Sequence, residues 1–139
     1  MGKMETEKSP ATHNTQHITY SITMEESYHE TLKLKMNDYA HLVYKATKTF
    51  PKEELYGVTS QIRRAALSVI LNYIEGFARR KGDNFKLYNN FLEISYGSLK
   101  ESKYLLHFFL IEGYLDIKNY KNLLNLADEI GAMLYKIIE

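Results

Sequence analysis

Apolar side chains recur at steps of three and four along most of this chain, which is the period of a helix with one buried face. The pattern is densest from Pro51 to Lys81, PKEELYGVTSQIRRAALSVILNYIEGFARRK. Leu55, Val58, Ile62, Ala65, Ala66, Val69, Tyr73 and Phe77 trace one apolar stripe, and Leu67, Ile70, Leu71 and Ile74 trace a second beside it. Between Ala65 and Ile74 only Ser68 and Asn72 are clearly polar. The spacing predicts one long helix with Pro51 at its first position, Glu53 and Glu54 at the positive end of its dipole, and Arg79, Arg80 and Lys81 at the negative end. Gly82 supplies a left-handed stop. A helix apolar most of the way round needs cover on more than one side. Leu67, Ile70, Leu71 and Ile74 are therefore expected to face another subunit.

The flanking segments predict three more helices. Leu32, Met36, Tyr39, Val43, Ala46 and Phe50 mark one face of a first helix from about Tyr28 to about Thr49, closed by Pro51. In the third, from a cap at Asp83 to about Glu112, Phe85, Leu92, Leu99 and Leu106 repeat every seven residues, with Tyr88, Ser95, Ser102 and Phe109 interleaved. Ser95 and Ser102 are small enough for a neighbouring helix to come close. After Gly113, Asp116 can cap a fourth helix whose seams are Ile117, Leu124, Gly131 and Ile138, and Tyr120, Ala127 and Leu134, flanked by Leu123, Ile130 and Ile137. Short turns between amphipathic helices imply antiparallel neighbours. The expected fold is all-α, an up-down-up-down antiparallel four-helix bundle over residues 28–139. A helical hairpin that completes its core only by dimerising is the alternative. Residues 1–27 form a flexible or extended N-terminal arm; within it Ile18, Tyr20, Ile22 and Met24 alternate with Thr19, Ser21 and Thr23, a strand-like pattern without a ladder partner.

Composition removes several classes of function. The chain has no cysteine, which excludes disulfides and thiolate metal sites. No apolar run approaches the ~20 residues that span a bilayer, and no signal segment begins the chain, so a cytoplasmic protein without membrane contact is expected. A carboxylate-bridged metal bundle needs two Glu-x-x-His motifs, and only Glu26 to His29 is present. His13 and His17 lie in the arm; His41 reads as a surface residue, and His107, beside Leu106 and Phe109, reads as a partly buried histidine without a nucleophile. Neither a nucleophile elbow nor a phosphate-cradling glycine loop occurs. No enzyme, metal or cofactor is expected. Tyrosines number 12, and Tyr39, Tyr73, Tyr88 and Tyr120 fall on core stripes where a ring with a polar tip packs well.

The net charge of +1 conceals an imbalance, since residues 1–27 carry −2 and the remainder +3. Arg63 and Arg64 sit mid-chain, and Arg79, Arg80, Lys81 and Lys86 gather around the turn into the third helix. Such cations can hold a phosphate backbone, and an oligomer would multiply their number. They also suit ordinary helix capping, with Glu75 placed to pair with Arg79.

Phe50-Pro51-Lys52-Glu53-Glu54, Tyr56 through Ala66, Asn72, Glu75-Gly76-Phe77, Arg79, Gly97-Ser98-Leu99-Lys100-Glu101 and Gly113-Tyr114-Leu115 carry a resemblance to the four-helix-bundle family of ribosomal-RNA intervening-sequence proteins. It covers roughly residues 28–139. The family usually has a proline near position 70, where this chain has Ile70. The resemblance implies an up-and-down bundle that assembles as a homo-oligomeric ring, often a pentamer, with no enzymatic activity. Members are encoded within large-subunit rRNA genes; relatives are accessory proteins of diversity-generating retroelements and bind a reverse transcriptase and nucleic acid. Two roles follow as expectations. One is RNA or DNA binding through Arg63, Arg64, Arg79, Arg80, Lys81 and Lys86; the other is a scaffold for a protein partner without an RNA role of its own.

Overall fold

The computed structural model describes residues 16–80 and 85–138, with side chains from residue 24 onward. Four α-helices occupy them: α1 (Gln16–Thr47), α2 (Val58–Ala78), α3 (Phe85–Glu112) and α4 (Ile117–Ile137). No strand occurs among the described residues. The packing divides the chain between Thr31 and Leu32. The first unit holds the N-terminal part of α1, and the second holds the remainder of α1 with the other three helices.

Helix α1 begins well before the expected start near Tyr28, and it absorbs residues 18–24, where an extended arm was expected. Seven alternating residues have no strand to pair with, whereas adding turns to an existing helix needs no new nucleus. From Gln16 to Thr47 there is neither glycine nor proline to interrupt it. The helix ends when the amide of Phe50 turns back to the Thr47 carbonyl and Pro51 adopts an extended ψ of 137°.

The long helix expected from Pro51 is shorter at its start. Lys52–Glu54 form a 3₁₀ turn, Gly57 breaks the chain with φ −112° and ψ −118°, and α2 starts at Val58. Pro51 and the two glutamates that looked like a helix N-terminus therefore serve the turn instead. Helix α2 then runs unbroken through Ile70 to Ala78. The expected stop at Gly82 and cap at Asp83 lie outside the described residues.

Cross-helix contacts fix the directions. Ser95 Oγ donates to the Val69 carbonyl at 2.6 Å, and the Ser68 and Ser98 hydroxyls meet at 2.7 Å. A Cβ on Gly76 would come within 2.9 Å of Phe91 Cβ. Positions on α3 fall as those on α2 rise, so this pair is antiparallel. Lys103 pairs with Asp128 at 2.6 Å, while Gly131 approaches Leu99 and Tyr96 lies by Tyr135, which makes α3 and α4 antiparallel too. On α1, Lys35 bonds Glu129 of α4 at 2.8 Å and Tyr39 bonds Ser102 of α3 at 2.8 Å. The directions of α2, α3 and α4 therefore alternate, and α1 packs on both α3 and α4.

The α3 heptads meet the core as spaced. Tyr88, Leu92, Ser95, Leu99, Ser102, Leu106 and Phe109 are buried, while Phe85 at the first turn is exposed. On α4 the seam is Leu123, Ala127, Ile130 and Leu134, so Leu123 and Ile130 take the central places expected of Leu124 and Gly131. Asp116 caps α4 as expected, its Oδ1 accepting from the Asn119 amide at 2.8 Å. Gly113, at φ +80°, ends α3 with the amide of Tyr114 bonded to the Phe109 carbonyl and its own to that of Leu110. That pair of hydrogen bonds is the Schellman closure, which needs a residue without a Cβ penalty at positive φ.

The two loops at this end are joined. Phe50 packs edge-on against Phe109 with centroids 4.7 Å apart and lies 5.4 Å from Tyr114. Tyr114 also donates to Glu54 Oε2 at 3.0 Å, a bond that pushes the phenol pKa upward.

Candidate interaction surface

Helix α2 splits into two faces. Ile62, Ala65, Ala66, Val69 and Tyr73 are buried, as the first apolar stripe predicts. Leu55 and Phe77, at the ends of that stripe, are exposed over about two-fifths of their surface, 43% and 38%. The second stripe points the other way: Leu67, Leu71 and Ile74 are exposed, Leu71 to 57%, and Ile70 is intermediate at the boundary. Ile94 of the adjoining α3 adds to this apolar surface at 51% exposed. The seven-residue seam of α3 does not mark Ile94, because its outward direction depends on how α3 rotates against α2.

Between the two faces lie the polar residues of the α2 centre. Asn72 Nδ2 donates to the Ser68 carbonyl at 2.9 Å, and Ser68 reaches Ser98 across the helix pair. These groups satisfy each other close to the apolar surface, so they leave it free of unpaired polar atoms there. Gly76 and Ser95 let α2 and α3 approach closely and hold their outward residues on one surface.

The five candidate cations among the described residues do not form a single patch. Sixteen residues of helix separate Arg63 from Arg79, about 24 Å at the α-helical rise. Arg63 is turned toward α1: its Nε donates to Thr47 Oγ1 at 2.9 Å, and its guanidinium lies 4.6 Å from the Tyr44 ring centroid. Thr47 is buried and donates onward to the Val43 carbonyl at 2.9 Å. Arg79 pairs with Glu75 one turn earlier and lies 5.8 Å from the Phe91 ring. The Arg80 guanidinium stacks near Phe77 and Tyr88, at 5.1 and 5.9 Å. Arg64 and Lys86 are exposed and make no ion pair with a described carboxylate. Lys81 lies outside the described residues. The Glu75–Arg79 pair is the one the sequence spacing offers, whereas the engagement of Arg63 by Thr47 and Tyr44 is visible only in the tertiary fold.

His107 is exposed, not partly buried, and His41 is exposed too. Among the described residues no group of three His, Cys, Asp or Glu side chains is placed to hold a metal ion, and no helix is long and apolar enough to cross a membrane. Among the described residues, the titratable group most perturbed is structural. Tyr39 is fully buried, and that burial, with a smaller push from Asp128, moves its pKa from 10.0 to about 12, against the opposing effect of its bond to Ser102.

Comparison with known proteins agrees with this architecture. The family model described as 23S rRNA-intervening sequence protein matches residues 30–136. A crystal structure of a protein of unknown function from the S23 ribosomal protein family of Bacteroides thetaiotaomicron superposes with a TM-score of 0.67. The two are 22% identical, and the match covers 78% of this chain and 98% of the other. At that identity the likeness speaks for the fold. No curated protein matches the chain.

Proposed function

We propose, for a chain that belongs to the 23S rRNA-intervening sequence protein family, that it is a non-enzymatic cytoplasmic bundle that self-associates through the outward face of α2 and binds RNA. The observation that carries this reading is the exposed row of Leu67, Leu71 and Ile74 continued by Ile94. Covering a large aliphatic side chain is worth about 1.5–3 kcal/mol relative to full exposure, and these four are already about half covered, so burying the rest of the row supplies several kcal/mol in all toward association. Self-association would repeat Arg64 and Lys86 around the assembly, giving a polyanion more cations than one copy offers. A ring, often of five copies, is what the family resemblance adds.

A second reading rests on the engagement of Arg63, Arg79 and Arg80 by their own chain, which leaves few free cations per copy. On that reading the α2 face receives a protein, such as the reverse transcriptase of a retroelement, and RNA is incidental. Light scattering with a filter-binding salt series on structured RNA separates the two. The RNA reading expects an oligomer that Leu71→Glu dissociates, and binding that weakens with salt and with Arg64→Ala. A parent protein that is monomeric at tens of micromolar refutes self-association. Absence of RNA binding at low salt refutes the RNA role, and capture of a protein partner after nuclease treatment then favours the scaffold.

A further inference from the structure

A different face of α3 meets α4 at an open cleft of about 410 Å³, within the ~300–1,000 Å³ range of small-ligand sites. Gly131 and Ala132 supply little bulk on the α4 side, and Leu99 also lines the cleft, its Cδ2 3.3 Å from where a Gly131 Cβ would sit. Tyr96 and Tyr135 stand at the rim with ring centroids 6.2 Å apart and planes inclined by 44°, and Tyr135 is 70% exposed. The Lys100 ammonium lies 5.4 Å from the Tyr96 ring centroid and has no ion-pair partner among the described carboxylates. Lys103, which also lines the cleft, is neutralised by Asp128 at 2.6 Å. The cleft thus offers aromatic surface and one uncompensated positive charge.

We propose that this α3–α4 cleft receives an unpaired nucleotide of a single-stranded RNA segment, its base lying against Tyr135 and Tyr96 and its phosphate meeting Lys100. The inference rests on the reading that the protein binds RNA and adds a site that the α2 face does not contain. Every base has a π-face, so tyrosine surface holds bases without regard to sequence. One free ammonium matches the single charge of a phosphodiester. The paired Lys103 and Asp128 add no net charge that would favour a more highly charged ligand. The tyrosines lie 39 positions apart in sequence, and the antiparallel α3–α4 pairing brings them together.

The test uses the full chain at low salt with a fluorescently labelled ten-nucleotide single-stranded RNA, the same strand made abasic, and adenosine monophosphate. Tyr135→Ala is expected to weaken binding of the base-bearing strand by about five- to a hundredfold. Tyr135→Phe is expected to retain it, and Lys100→Ala to lower the salt slope by about 0.7. The abasic strand should bind the parent as weakly as the intact strand binds Tyr135→Ala. Because Tyr135 is exposed, its variants should keep the parent's circular-dichroism melting curve. Equal binding of parent and Tyr135→Ala, or of intact and abasic strands, overturns the cleft assignment and leaves the α2 reading standing if structured RNA still binds. Adenosine monophosphate binding as tightly as the ten-mer overturns the strand as ligand. Failure of every RNA to bind overturns both.

Discussion

Ser102→Ala should destabilise the fold more than Tyr39→Phe, although each removes a single hydroxyl. Ser102 has one hydroxyl hydrogen, and it is directed at the Leu99 carbonyl at 2.8 Å. The Tyr39 hydroxyl must then be the donor in the 2.8 Å bond between the two. Both side chains are fully buried. In Ser102→Ala the phenol is left as a buried donor without a partner, which costs about 1–3 kcal/mol. In Tyr39→Phe the serine still donates to Leu99 and loses only an acceptor role, at a cost of about 1 kcal/mol or less. The double variant strands nothing, so it should be more stable than Ser102→Ala alone, with a coupling of about 1 kcal/mol or more. Urea unfolding at fixed protein concentration, followed by circular dichroism, measures all four corners of the cycle. Equal costs for the two single variants, or a double variant equal to their sum, would refute the assigned donor direction. Alkaline titration provides a second arm. The unfolded phenol ionises near 10 and the folded one near 12, so the folded state favours the neutral form. The resulting stability is intact below pH 10 and is lost as pH rises toward 12, about 3 kcal/mol in all. Tyr39→Phe should lack that increment of alkaline sensitivity.

The remaining predictions concern backbone fit and caps. Gly76→Ala should destabilise by about 1–3 kcal/mol despite alanine's better helix propensity, because its Cβ would sit 2.9 Å from Phe91 Cβ; an unchanged or raised melting temperature would contradict the close approach. Gly97→Ala meets nothing within 4 Å and should stabilise α3 by about 1 kcal/mol, read by the same melt. Asp116→Ala should cost about 1 kcal/mol through the lost bond from the Asn119 amide, measured by urea unfolding.

The α3 seam was legible because its seven-residue repeat is long and its buried side chains include two serines that only a close helix would select. Of the two α4 series, Ala127 and Leu134 fall in the core as expected, while the other is misplaced by one position, since Ile117, Leu124 and Ile138 are as apolar as Leu123 and Ile130 and only the neighbouring helices decide which row turns inward. Gly57 was hidden by stronger signals, a proline followed by two glutamates. The outward row of α2 could be read because its apolar residues exceed what one face can bury. The work of Arg63 could not, because it depends on Thr47 of another helix being brought within 2.9 Å. Neither could the Tyr96–Tyr135 cleft, which depends on helix pairing and on the missing side chain of Gly131.

The ring cluster of Phe50, Phe109 and Tyr114, fastened by the Glu54 carboxylate, welds the linker after α1 to the one before α4. Those two linkers therefore cannot be edited separately. A tag or extra residues spliced in beside Tyr114 would loosen the stretch around Glu54 sixty positions upstream, and amide exchange at Leu55 and Leu115 should quicken together.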